Sequence, residues 1–545
     1  MKIALCQINT IIGDIEGNKK KILEWYDKAV RSEVDLALFP ELALVGYPPL
    51  DLVEKKEFRD AASKAVNEIA AQTGTTGLIF GSITEDDDKI GTDIHNSAIL
   101  CYHGKVQFIQ HKSLIPNYDV FDEMRYFDPA KEVNVVQYKN KKLGISICED
   151  IWNDEDYWYR RRYVNDPVKI LLEKGAEIII NISASPYAYG KRNDRKEMLS
   201  VLTKKDKIPL AYVCCVGAQT DLIFDGASMC FNSEGELVLL GESYKEEFFI
   251  FDTEKKYSQI TKVEASFEEE VYNALVFGLK EYCYKQGFEK VVLGLSGGID
   301  SALVACIAAD ALGKENVHVL LLPSDFSSRG SINDSMKLIR NLGISHHKIS
   351  IQPVVDKILK QMKPLFKDLQ WDTTEENIQS RSRGLLLMAY SNKFNALLLT
   401  TGNKSEAAVG YATLYGDMAG ALAVIADVYK TDVYKLASYI NRNKEIIPKE
   451  IIEKAPSAEL RHNQKDQDTL PPYDVLDKIL KYYLEENKEI KEISEIINDE
   501  NLVKKVLRMV DKNEFKRNQS APVLRVSKKA FGLGRRFPIV QGWRK

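Results

Sequence analysis

The sequence lacks paired cysteine motifs, histidines at zinc-binding spacing and any long apolar run. Its eight cysteines are scattered over 545 residues without a CxxC pair, and the seven histidines show no metal-site pattern. A disulfide framework or a zinc site is therefore not indicated, and most of these cysteines are expected to be small buried residues. No apolar stretch approaches the roughly 20 residues that a membrane span requires.

A strong excess of charge of one sign is also missing. The formal net charge is −4 at pH 7, which gives no general reason to expect binding to nucleic acid or to a membrane. The N-terminal stretch MKIALCQINTIIGD is not typical of a secretory signal, because Gln7 and Asn9 interrupt its apolar part. We therefore expect a cytoplasmic protein with neither a nucleic-acid nor a membrane partner.

The length and the patterning indicate two large domains. Apolar residues make up 45% and charged residues 28% of the chain, as in soluble globular proteins, and 545 residues exceed what one core normally organises. In the first half, strand-like segments alternate with helical ones, which predicts an α/β domain at 1–253. A polar linker is predicted at 254–268. The second domain, 269–545, repeats strand, turn and helix, which favours a doubly wound parallel sheet, followed by lysine- and glutamate-rich helices and a basic tail.

The segment GLSGGIDS, at Gly294–Ser301, follows an apolar strand and precedes the helical pattern SALVACIAADAL. Glycines let backbone N–H groups converge, and a helix N-terminus facing the same point favours an anion. Ser296 and Ser301 add hydroxyl donors, and Asp300 has the chemistry to hold a hard cation. The lysine of a Walker loop is absent. The structural alternative is an ordinary strand-to-helix turn with a capping acid.

This loop resembles the pyrophosphate loop of the N-type ATP pyrophosphatases. With NIQSRSRGLLLMAYSN, LLLTTGNKSEAAVGYATLYGDMAG and AELRHNQKDQDTLPPYDVLD, the second half is similar to the glutamine-dependent NAD⁺ synthetase family. The resemblance implies ATP as co-substrate and ATP contacts from Gly294, Leu295, Ser296, Gly297, Gly298, Ile299, Asp300, Ser301 and Thr401. It implies deamido-NAD⁺ contacts from Asn377, Glu406 and Lys516, and Mg²⁺ ligation by Asp300 and Glu406.

Two of these residues have plain structural interpretations when taken alone. Thr401 is compatible with a helix N-cap, and Glu406 is compatible with a solvated helix face. The chemistry nevertheless requires these residue types. When a carboxylate attacks the α-phosphorus of ATP, negative charge builds on phosphate oxygens, and a cation with preorganised N–H donors stabilises it.

Three short segments of the first half carry a second set of reactive residues. LFPELALVGYPP places Glu41, HKSLIPNYDVFDEMRYF places Lys112, and GISICEDIW places Cys148, each at the end of a predicted strand. Three parallel strand edges are expected to bring them together. A thiolate attacks a carboxamide carbon, Glu41 moves the protons, and Lys112 stabilises the developing charge. Alone, Cys148 is compatible with a buried strand cysteine, and Glu41 and Lys112 with surface charges.

The constellation resembles the nitrilase, or carbon–nitrogen hydrolase, superfamily over roughly the first 250 residues. The resemblance implies an α-β-β-α sandwich and glutamine contacts from Tyr118, Ser185 and Lys191. It also implies that Glu123 orients Lys112. Tyr118 is equally compatible with a core position, and Ser185, which precedes a proline, with a plain turn.

Together the two resemblances imply a ligase that forms a C–N bond. It would adenylate deamido-NAD⁺ with ATP and amidate it with ammonia from L-glutamine, giving NAD⁺, AMP, pyrophosphate and glutamate. The family also suggests a homo-oligomer. Two alternatives stay open at this point: an ammonia-dependent synthetase whose first half is an inert scaffold, and an amidotransferase that activates a different acid, as in GMP synthesis.

Overall fold

The computed structural model describes residues 1–86, 90–261, 265–367 and 369–543. These residues form two compact units, Met1–Ala265 and Ser266–Lys545. A helix begins at Phe267, so residues 267 and 268 of the expected linker are helical. Residues 262–264 of that linker lie outside the described residues. The assignment of domains to 1–253 and 269–545 stays a prediction.

The first unit contains fourteen described strands and four described α-helices. The strands are β1 Lys2–Gln7, β2 Leu36–Leu38, β3 Gly77–Glu85, β4 Ile94–Tyr102, β5 Lys105–His111, β6 Val135–Tyr138, β7 Lys141–Ile147, β8 Ile178–Ser183, β9 Leu210–Cys214, β10 Val216–Gln219, β11 Leu222–Asp225, β12 Met229–Phe231, β13 Leu237–Leu240 and β14 Glu247–Asp252. The helices are α1 Ile15–Arg31, α2 Lys56–Ala71, α3 Pro167–Glu173 and α4 Lys191–Asp206. Short 3-10 turns lie at Leu50–Glu54, Glu123–Arg125 and Cys148–Ile151.

Two six-stranded sheets pack face to face with helices on their outer faces. Their strand orders are β14-β1-β2-β3-β4-β5 and β13-β12-β9-β8-β7-β6. One apolar core lies between the sheets, a second joins the first sheet to α1 and α2, and a third joins the second sheet to α3 and α4. The expected α-β-β-α sandwich is therefore confirmed.

The pattern of β1 shows why the sequence favours this layering. Ile3 and Leu5 enter the core between the sheets, whereas Ala4 and Cys6 enter the core under the helices. Successive side chains of a strand point to opposite faces, so a strand covered on both faces is apolar throughout. The apolar segment LAYVCCVG, residues 210–217, contributes to two strands, β9 and β10, separated by Cys215.

The second unit contains five described strands and twelve described α-helices. The strands are β15 Lys290–Gly294, β16 Val317–Leu321, β17 Ser345–Lys348, β18 Ala396–Thr400 and β19 Leu422–Ala423. The helices are α5 Phe267–Gln286, α6 Ile299–Leu312, α7 Arg329–Leu342, α8 Gln352–Met362, α9 Thr373–Phe394, α10 Lys404–Val409, α11 Lys430–Ile440, α12 Lys449–Glu453, α13 Tyr473–Leu484, α14 Ile490–Ile497, α15 Glu500–Lys512 and α16 Glu514–Arg517. Short 3-10 turns lie at Lys314–Asn316 and Asp466–Asp468.

All five strands of this unit are parallel, in the order β17-β16-β15-β18-β19. The chain winds outward from β15 to β17, returns to the other side of β15 at β18, and continues to β19. The expected doubly wound parallel sheet is thus confirmed. The switch point lies between β15 and β18, and ligands bind outside the carboxyl ends of strands at such a point.

Several details of both units differ from the sequence analysis. Helix α6 begins at Ile299 rather than at Ser301, because Gly298 is the extended N-cap residue. The strands β6, β11, β12, β13, β14 and β19 were not expected from the sequence; they are two to six residues long and too short for a clear periodicity. None of the helices in the described part of the chain combines the length and hydropathy needed to cross a membrane.

Candidate active sites

The first site lies where strands of both sheets of the sandwich end. Glu41 follows β2, Lys112 directly follows β5, and Cys148 directly follows β7. The expectation of three parallel edges was wrong in one respect, because β2 and β5 belong to one sheet and β7 to the other. The face-to-face packing of the two sheets, rather than adjacency within one sheet, brings the three residues together.

Gly81 on β3 allows the loop that follows β2 and carries Glu41, the Glu41 loop, to lie against the sheet. A Cβ placed on Gly81 would stand 2.1 Å from the backbone nitrogen of Leu42 and 2.7 Å from the Cα of Glu41. The Gly81 N–H donates to Pro40 O at 3.1 Å. Any side chain at this position would push the loop, and with it the Glu41 carboxylate, out of the site.

Lys112 lies at the centre of this site and hydrogen-bonds to two carboxylates. Its Nζ donates to Glu41 Oε1 at 2.7 Å and to both carboxylate oxygens of Glu123 at 2.8 Å. The Lys112 side chain is fully buried, as is that of Glu41. Tyr47 donates its hydroxyl to Glu123 Oε1 at 2.8 Å. These contacts place Glu123 beside Lys112, where the sequence analysis expected it.

The charges of the site perturb one another. Burial by itself lowers the pKa of Lys112, but Glu123 and Glu41 raise it, and the net pKa lies well above the usual range for lysine. Burial raises the pKa of the Glu123 carboxyl; Lys112 opposes this and Glu41 adds to it. Lys112 therefore stays protonated, while its two carboxylate partners compete for one cation.

Cys148 stands on a constrained turn. Its φ angle is +42°, in the left-handed region that non-glycine residues rarely adopt. Asp150 fixes this turn by accepting from the N–H groups of Ile147, Ser113 and Leu114 at 3.0, 2.9 and 2.8 Å. The same carboxylate therefore joins the Cys148 turn to the segment that follows Lys112. Burial raises the Asp150 pKa to about 7.

The Cys148 side chain is a protonated thiol in this state. Burial raises its pKa well above the usual range, Glu41 raises it further, and Lys112 lowers it. The thiolate is the nucleophilic form, so a buried thiol needs an adjacent base to become reactive. The Cys148 thiol, the Glu41 and Glu123 carboxylates and the Lys112 ammonium are all buried and interact electrostatically. This arrangement suits activation of the sulfur by a general base.

The residues expected to contact glutamine border this site. Tyr118 and Lys191 share a neighbour in Phe121: the ring centroids of Tyr118 and Phe121 are 5.5 Å apart, and Lys191 Nζ lies 5.9 Å from the Phe121 ring. Ser185 is buried directly after Ala184, whose N–H donates to Glu41 Oε2 at 2.8 Å. The glutamine-binding role of these residues stays a prediction.

Four polar residues of this site were not expected from the sequence. They are Tyr47, Asn96, Glu149 and Asp150. Glu149 accepts from the hydroxyls of Tyr118 and Tyr163 at 2.8 and 3.1 Å. Both acids adjoin Cys148 in the string CED, so adjacency could have drawn attention to them. Tyr47 and Asn96 carry no such signal.

The second site lies at the switch point of the parallel sheet. Gly297 has φ +79°, and a Cβ there would stand 2.4 Å from Ser331 O, so the loop after β15 packs directly on α7. Within this loop Ser296 Oγ and Ser301 Oγ are 3.1 Å apart, and Gly298 N–H donates to Ser296 Oγ at 3.2 Å. The loop has only small side chains at its turn and is held by hydrogen bonds within itself, as a loop that binds an anion through backbone N–H groups requires.

A cavity of about 280 Å³ opens beside this loop. Nine of the expected ligand-binding residues line it: Gly294, Leu295, Ser296, Gly298, Ile299, Asp300, Ser301, Thr401 and Glu406. Three other expected residues do not line it: Gly297, Asn377 and Lys516. The Glu406 side chain is only 18% exposed and faces the Lys430 ammonium, so the alternative of a solvated helix face is wrong.

Asn377 and Lys516 both contact the segment that follows α10. Asn377 Oδ1 accepts from the Thr413 hydroxyl at 2.8 Å, and Thr413 lines the cavity. Lys516 Nζ donates to the carbonyls of Gly410 and Ala412 at 2.8 and 2.9 Å. Burial lowers the pKa of Lys516. In this state both residues hold the wall of the cavity, and their contact with deamido-NAD⁺ stays a prediction.

Asp300 and Glu406 are joined by a buried ammonium group. Lys430 Nζ forms an ion pair with Asp300 Oδ2 and lies 3.3 Å from Glu406 Oε1. Asn403 Nδ2 donates to Asp300 Oδ1 at 3.0 Å. Burial raises the pKa of Glu406 to about 8, Lys430 opposes this, and Asp300 adds to it. Asp300 and Glu406 thus share the one positive charge of Lys430, so the pair can bind a further cation.

Three cationic side chains line the same cavity: Arg383, Lys430 and Lys454. No role was expected for any of the three from the sequence. Burial lowers the pKa of Arg383 to about 10, which leaves it charged at neutral pH. A bare loop, a helix N-terminus and three cations around one cavity are suited to a polyphosphate.

Comparison with known proteins agrees with this architecture. The family model described as carbon-nitrogen hydrolase matches residues 2–253, and the one described as NAD synthase matches residues 271–520. Fold and sites therefore define a protein in which a carbon–nitrogen hydrolase unit and an NAD synthase unit share one chain.

Relatives of the full length narrow the class. The chain is 44% identical to the glutamine-dependent NAD(+) synthetase of Synechocystis sp., over 99% of both chains. It is 42% identical to that of Thermotoga maritima, over 100% of this chain and 99% of the relative. The solved structure of the Acinetobacter baumannii enzyme in complex with ADP matches with a TM-score of 0.78 and 39% identity, over 99% of both chains. The chain belongs to the glutamine-dependent NAD(+) synthetase family.

Proposed function

We propose that this protein synthesises NAD⁺ from deamido-NAD⁺, ATP and L-glutamine, releasing AMP, pyrophosphate and glutamate. The observation that carries the proposal is the presence of two complete sets of groups in two units. One is the buried set Glu41, Lys112 and Cys148, and the other is the bare loop Gly294–Ser301 beside the cation-lined cavity. Ammonia is mostly protonated at neutral pH, so an amide hydrolase within the same chain supplies the nucleophile that the ligase needs.

In the first unit, Glu41 takes the proton from the Cys148 thiol, and the sulfur attacks the side-chain carboxamide carbon of glutamine. Lys112 stabilises the negative charge on the tetrahedral intermediate. Glu41 returns the proton to the leaving ammonia, and a γ-glutamyl thioester remains on Cys148. Glu41 then activates water, which hydrolyses the thioester to glutamate. Glu123 holds Lys112 in place, and Tyr118, Ser185 and Lys191 bind the rest of glutamine.

In the second unit, the loop Gly294–Ser301 grips the pyrophosphate part of ATP, and Thr401 contributes to the same nucleotide site. The carboxylate of deamido-NAD⁺ attacks the α-phosphorus, and pyrophosphate leaves. Ammonia then attacks the acyl adenylate, AMP leaves, and the carboxamide of NAD⁺ forms. Asn377, Glu406 and Lys516 are proposed to contact deamido-NAD⁺.

Mg²⁺ is the proposed metal of the second site. Asp300 and Glu406 carry oxygen ligands of the kind that Mg²⁺ prefers, and Lys430 supplies one positive charge against both. Within the described residues no group of three or more His, Cys, Asp or Glu side chains could hold a metal ion by itself. Phosphate oxygens of ATP would therefore complete the coordination. A bound Mg²⁺ would neutralise part of the phosphate charge.

Reducing conditions suit the first site. All eight cysteines are free and buried, including Cys148, whose thiol form the reaction needs. We place the reaction in the cytoplasm, where thiols are kept reduced.

A homo-oligomer is proposed for the assembled protein. Leu385 and Met388 lie three residues apart on one side of helix α9 and are exposed by 63% and 38%, an apolar patch that a second copy would cover. Sedimentation is expected to give at least twice the mass of one chain, and Leu385→Glu to shift the protein towards the monomer. The matched control is Leu533→Glu in the C-terminal tail, which is exposed by 56% and should leave the assembly unchanged. A monomer at micromolar concentration would contradict this.

The transfer of nitrogen tests the proposed function most directly. With glutamine labelled by ¹⁵N at its amide, ATP and deamido-NAD⁺, we expect label in the carboxamide of NAD⁺, with AMP and glutamate formed in equal amounts. Mass spectrometry of NAD⁺ measures this. Ammonium chloride should replace glutamine as a nitrogen source. NAD⁺ without label, or no pyrophosphate release with deamido-NAD⁺, would refute the proposal.

A further inference from the structure

Asn96 lies at the centre of the first site without a role in the reaction as proposed so far. It stands on β4 and is fully buried. Its Nδ2 donates to Glu41 Oε1 at 2.7 Å and approaches Glu123 Oε2 at 3.4 Å. Its backbone carbonyl accepts from the Lys112 N–H at 2.8 Å. One residue thus contacts both carboxylates and the lysine.

The two carboxylates do not have equal donors. Glu41 accepts from Lys112 and Asn96 on Oε1 and from the Ala184 N–H on Oε2. Glu123 accepts from Lys112 and Tyr47, and its distance to Asn96 is 0.7 Å longer than that of Glu41. Hydrogen bonds to the charged form of a carboxylate favour that form. Asn96 therefore favours a charged Glu41 over a charged Glu123.

This preference matters because Glu41 and Glu123 share a single buried cation, Lys112. Two carboxylates within reach of one another disfavour double ionisation, and the pair tends to hold one proton. The reaction requires that Glu41, rather than Glu123, be the ionised member, since Glu41 takes the thiol proton. Burial also raises the pKa of Glu123.

Stability does not explain the choice of asparagine. Asn96 Oδ1 is buried and accepts no hydrogen bond from any residue that the structure describes. An unsatisfied buried acceptor is destabilising, and native proteins contain few of them. A site that tolerates this defect does so for what the other half of the amide provides, which is the donor to Glu41.

We propose that Asn96 is a positioning residue of the glutamine-hydrolysing reaction, whose amide holds Glu41 in place and keeps it, rather than Glu123, in the ionised form. The inference rests on the proposed function, in which Glu41 is the base. The titratable groups that face Glu41 are Lys112 after β5, Glu123 on its 3-10 turn, Cys148 after β7, Cys215 after β9 and Tyr47 in the Glu41 loop.

The experiment compares Asn96→Ala with Ser97→Ala in the full-length protein. Ser97 is the next residue of β4 and is equally buried, but its hydroxyl contacts Thr84 and His111 instead of Glu41. Glutamate release is measured between pH 5 and pH 9, and ammonia-driven NAD⁺ synthesis is measured in the same preparations. Glu41→Gln and Asn96→Asp complete the set, the latter replacing the donor by an acceptor of the same shape.

For Asn96→Ala we expect kcat/KM for glutamine hydrolysis to fall about 10- to 100-fold, mainly in kcat. The acidic limb of its pH profile should move to higher pH by about one unit, because the ionised form of Glu41 loses a donor. For Asn96→Asp, kcat/KM for glutamine hydrolysis should fall at least as far. Ser97→Ala should keep the wild-type profile, and ammonia-driven synthesis should be unchanged in all four variants.

An acidic limb that stays at its wild-type position in Asn96→Ala would overturn the inference, because a purely structural role lowers activity without moving the limb. An equal loss of ammonia-driven synthesis would overturn it as well, since it would indicate general misfolding. If instead Glu41→Gln still released glutamate at the wild-type rate, the proposed base itself would be wrong. The two failures are therefore distinguishable.

Discussion

Cys148→Ala is expected to abolish NAD⁺ synthesis from glutamine while leaving synthesis from ammonium chloride near the wild-type rate. The Cys148 sulfur forms the bond to glutamine in the proposed reaction, and alanine offers no nucleophile in its place. Removing the nucleophile of a covalent mechanism lowers kcat on the order of 10⁴-fold or more. The ligase site lies in the other unit, within Ser266–Lys545, and contains none of these residues. Glutamate release and NAD⁺ formation, measured together with each nitrogen source, provide the test.

Cys230→Ala is the matched control for this variant. Cys230 is also a fully buried thiol of the sandwich, and burial raises its pKa well above the usual range. Among the described residues burial alone accounts for that rise, in contrast to Cys148, whose pKa is also shifted by Glu41 and Lys112. We expect Cys230→Ala to retain glutamine-driven synthesis. Loss of ammonia-driven synthesis in Cys148→Ala would argue against two separate sites, and residual glutaminase activity would argue against a cysteine nucleophile.

The second large effect is expected for Asp300→Asn. This change keeps the shape of the side chain but removes a negative charge that faces Lys430 and is proposed to bind Mg²⁺. Loss of one group that stabilises transition-state charge lowers kcat about 10²- to 10³-fold. NAD⁺ and pyrophosphate formation should fall to this extent with glutamine and with ammonium alike. Glutamate release should continue, since the first site lies in the other unit.

Asp310→Asn provides the control on the same helix. Asp310 lies near the other end of α6, where it accepts from the Tyr272 hydroxyl at 2.7 Å and lines no part of the cavity. Its replacement should leave synthesis intact. Titration with Mg²⁺ adds a second readout, because Asp300→Asn should need a higher Mg²⁺ concentration for half-maximal rate. An Asp300→Asn variant with normal synthesis and normal Mg²⁺ dependence would exclude Asp300 from the metal site.

Much of the fold could be predicted from local patterns. The strands at the centre of the sandwich, and β15, β16 and β18 of the parallel sheet, carry apolar runs because both faces of each strand are covered. Short strands such as β6, β12 and β19 escaped prediction because two to four residues do not establish a period. The start of α6 was misplaced by two residues, because the turn chemistry of Gly297 and Gly298 decides it rather than the apolar pattern.

The residues of the candidate sites likewise divide into those that local patterns predict and those that they do not. Glu41, Lys112 and Cys148 could be identified because each stands at the end of a strong strand pattern, and the loop Gly294–Ser301 because its glycines, serines and acid occur in one short string. Asn96 and Lys430 could not. Asn96 lies inside a strand, and its partners Glu41 and Glu123 are 55 and 27 residues away. Lys430 lies 130 residues from Asp300.

By itself, the sequence determined which residues are candidates for the chemistry and that two kinds of domain hold them, because strand ends, glycine-rich loops and reactive side chains can be read from short segments. The tertiary structure alone decided the charge state of the sites. It placed Lys112 between two carboxylates, left Asn96 to bias them, and set Lys430 between Asp300 and Glu406. Ionisation depends on burial and on neighbours a few ångströms away, and those distances arise only when two sheets pack or a parallel sheet changes direction.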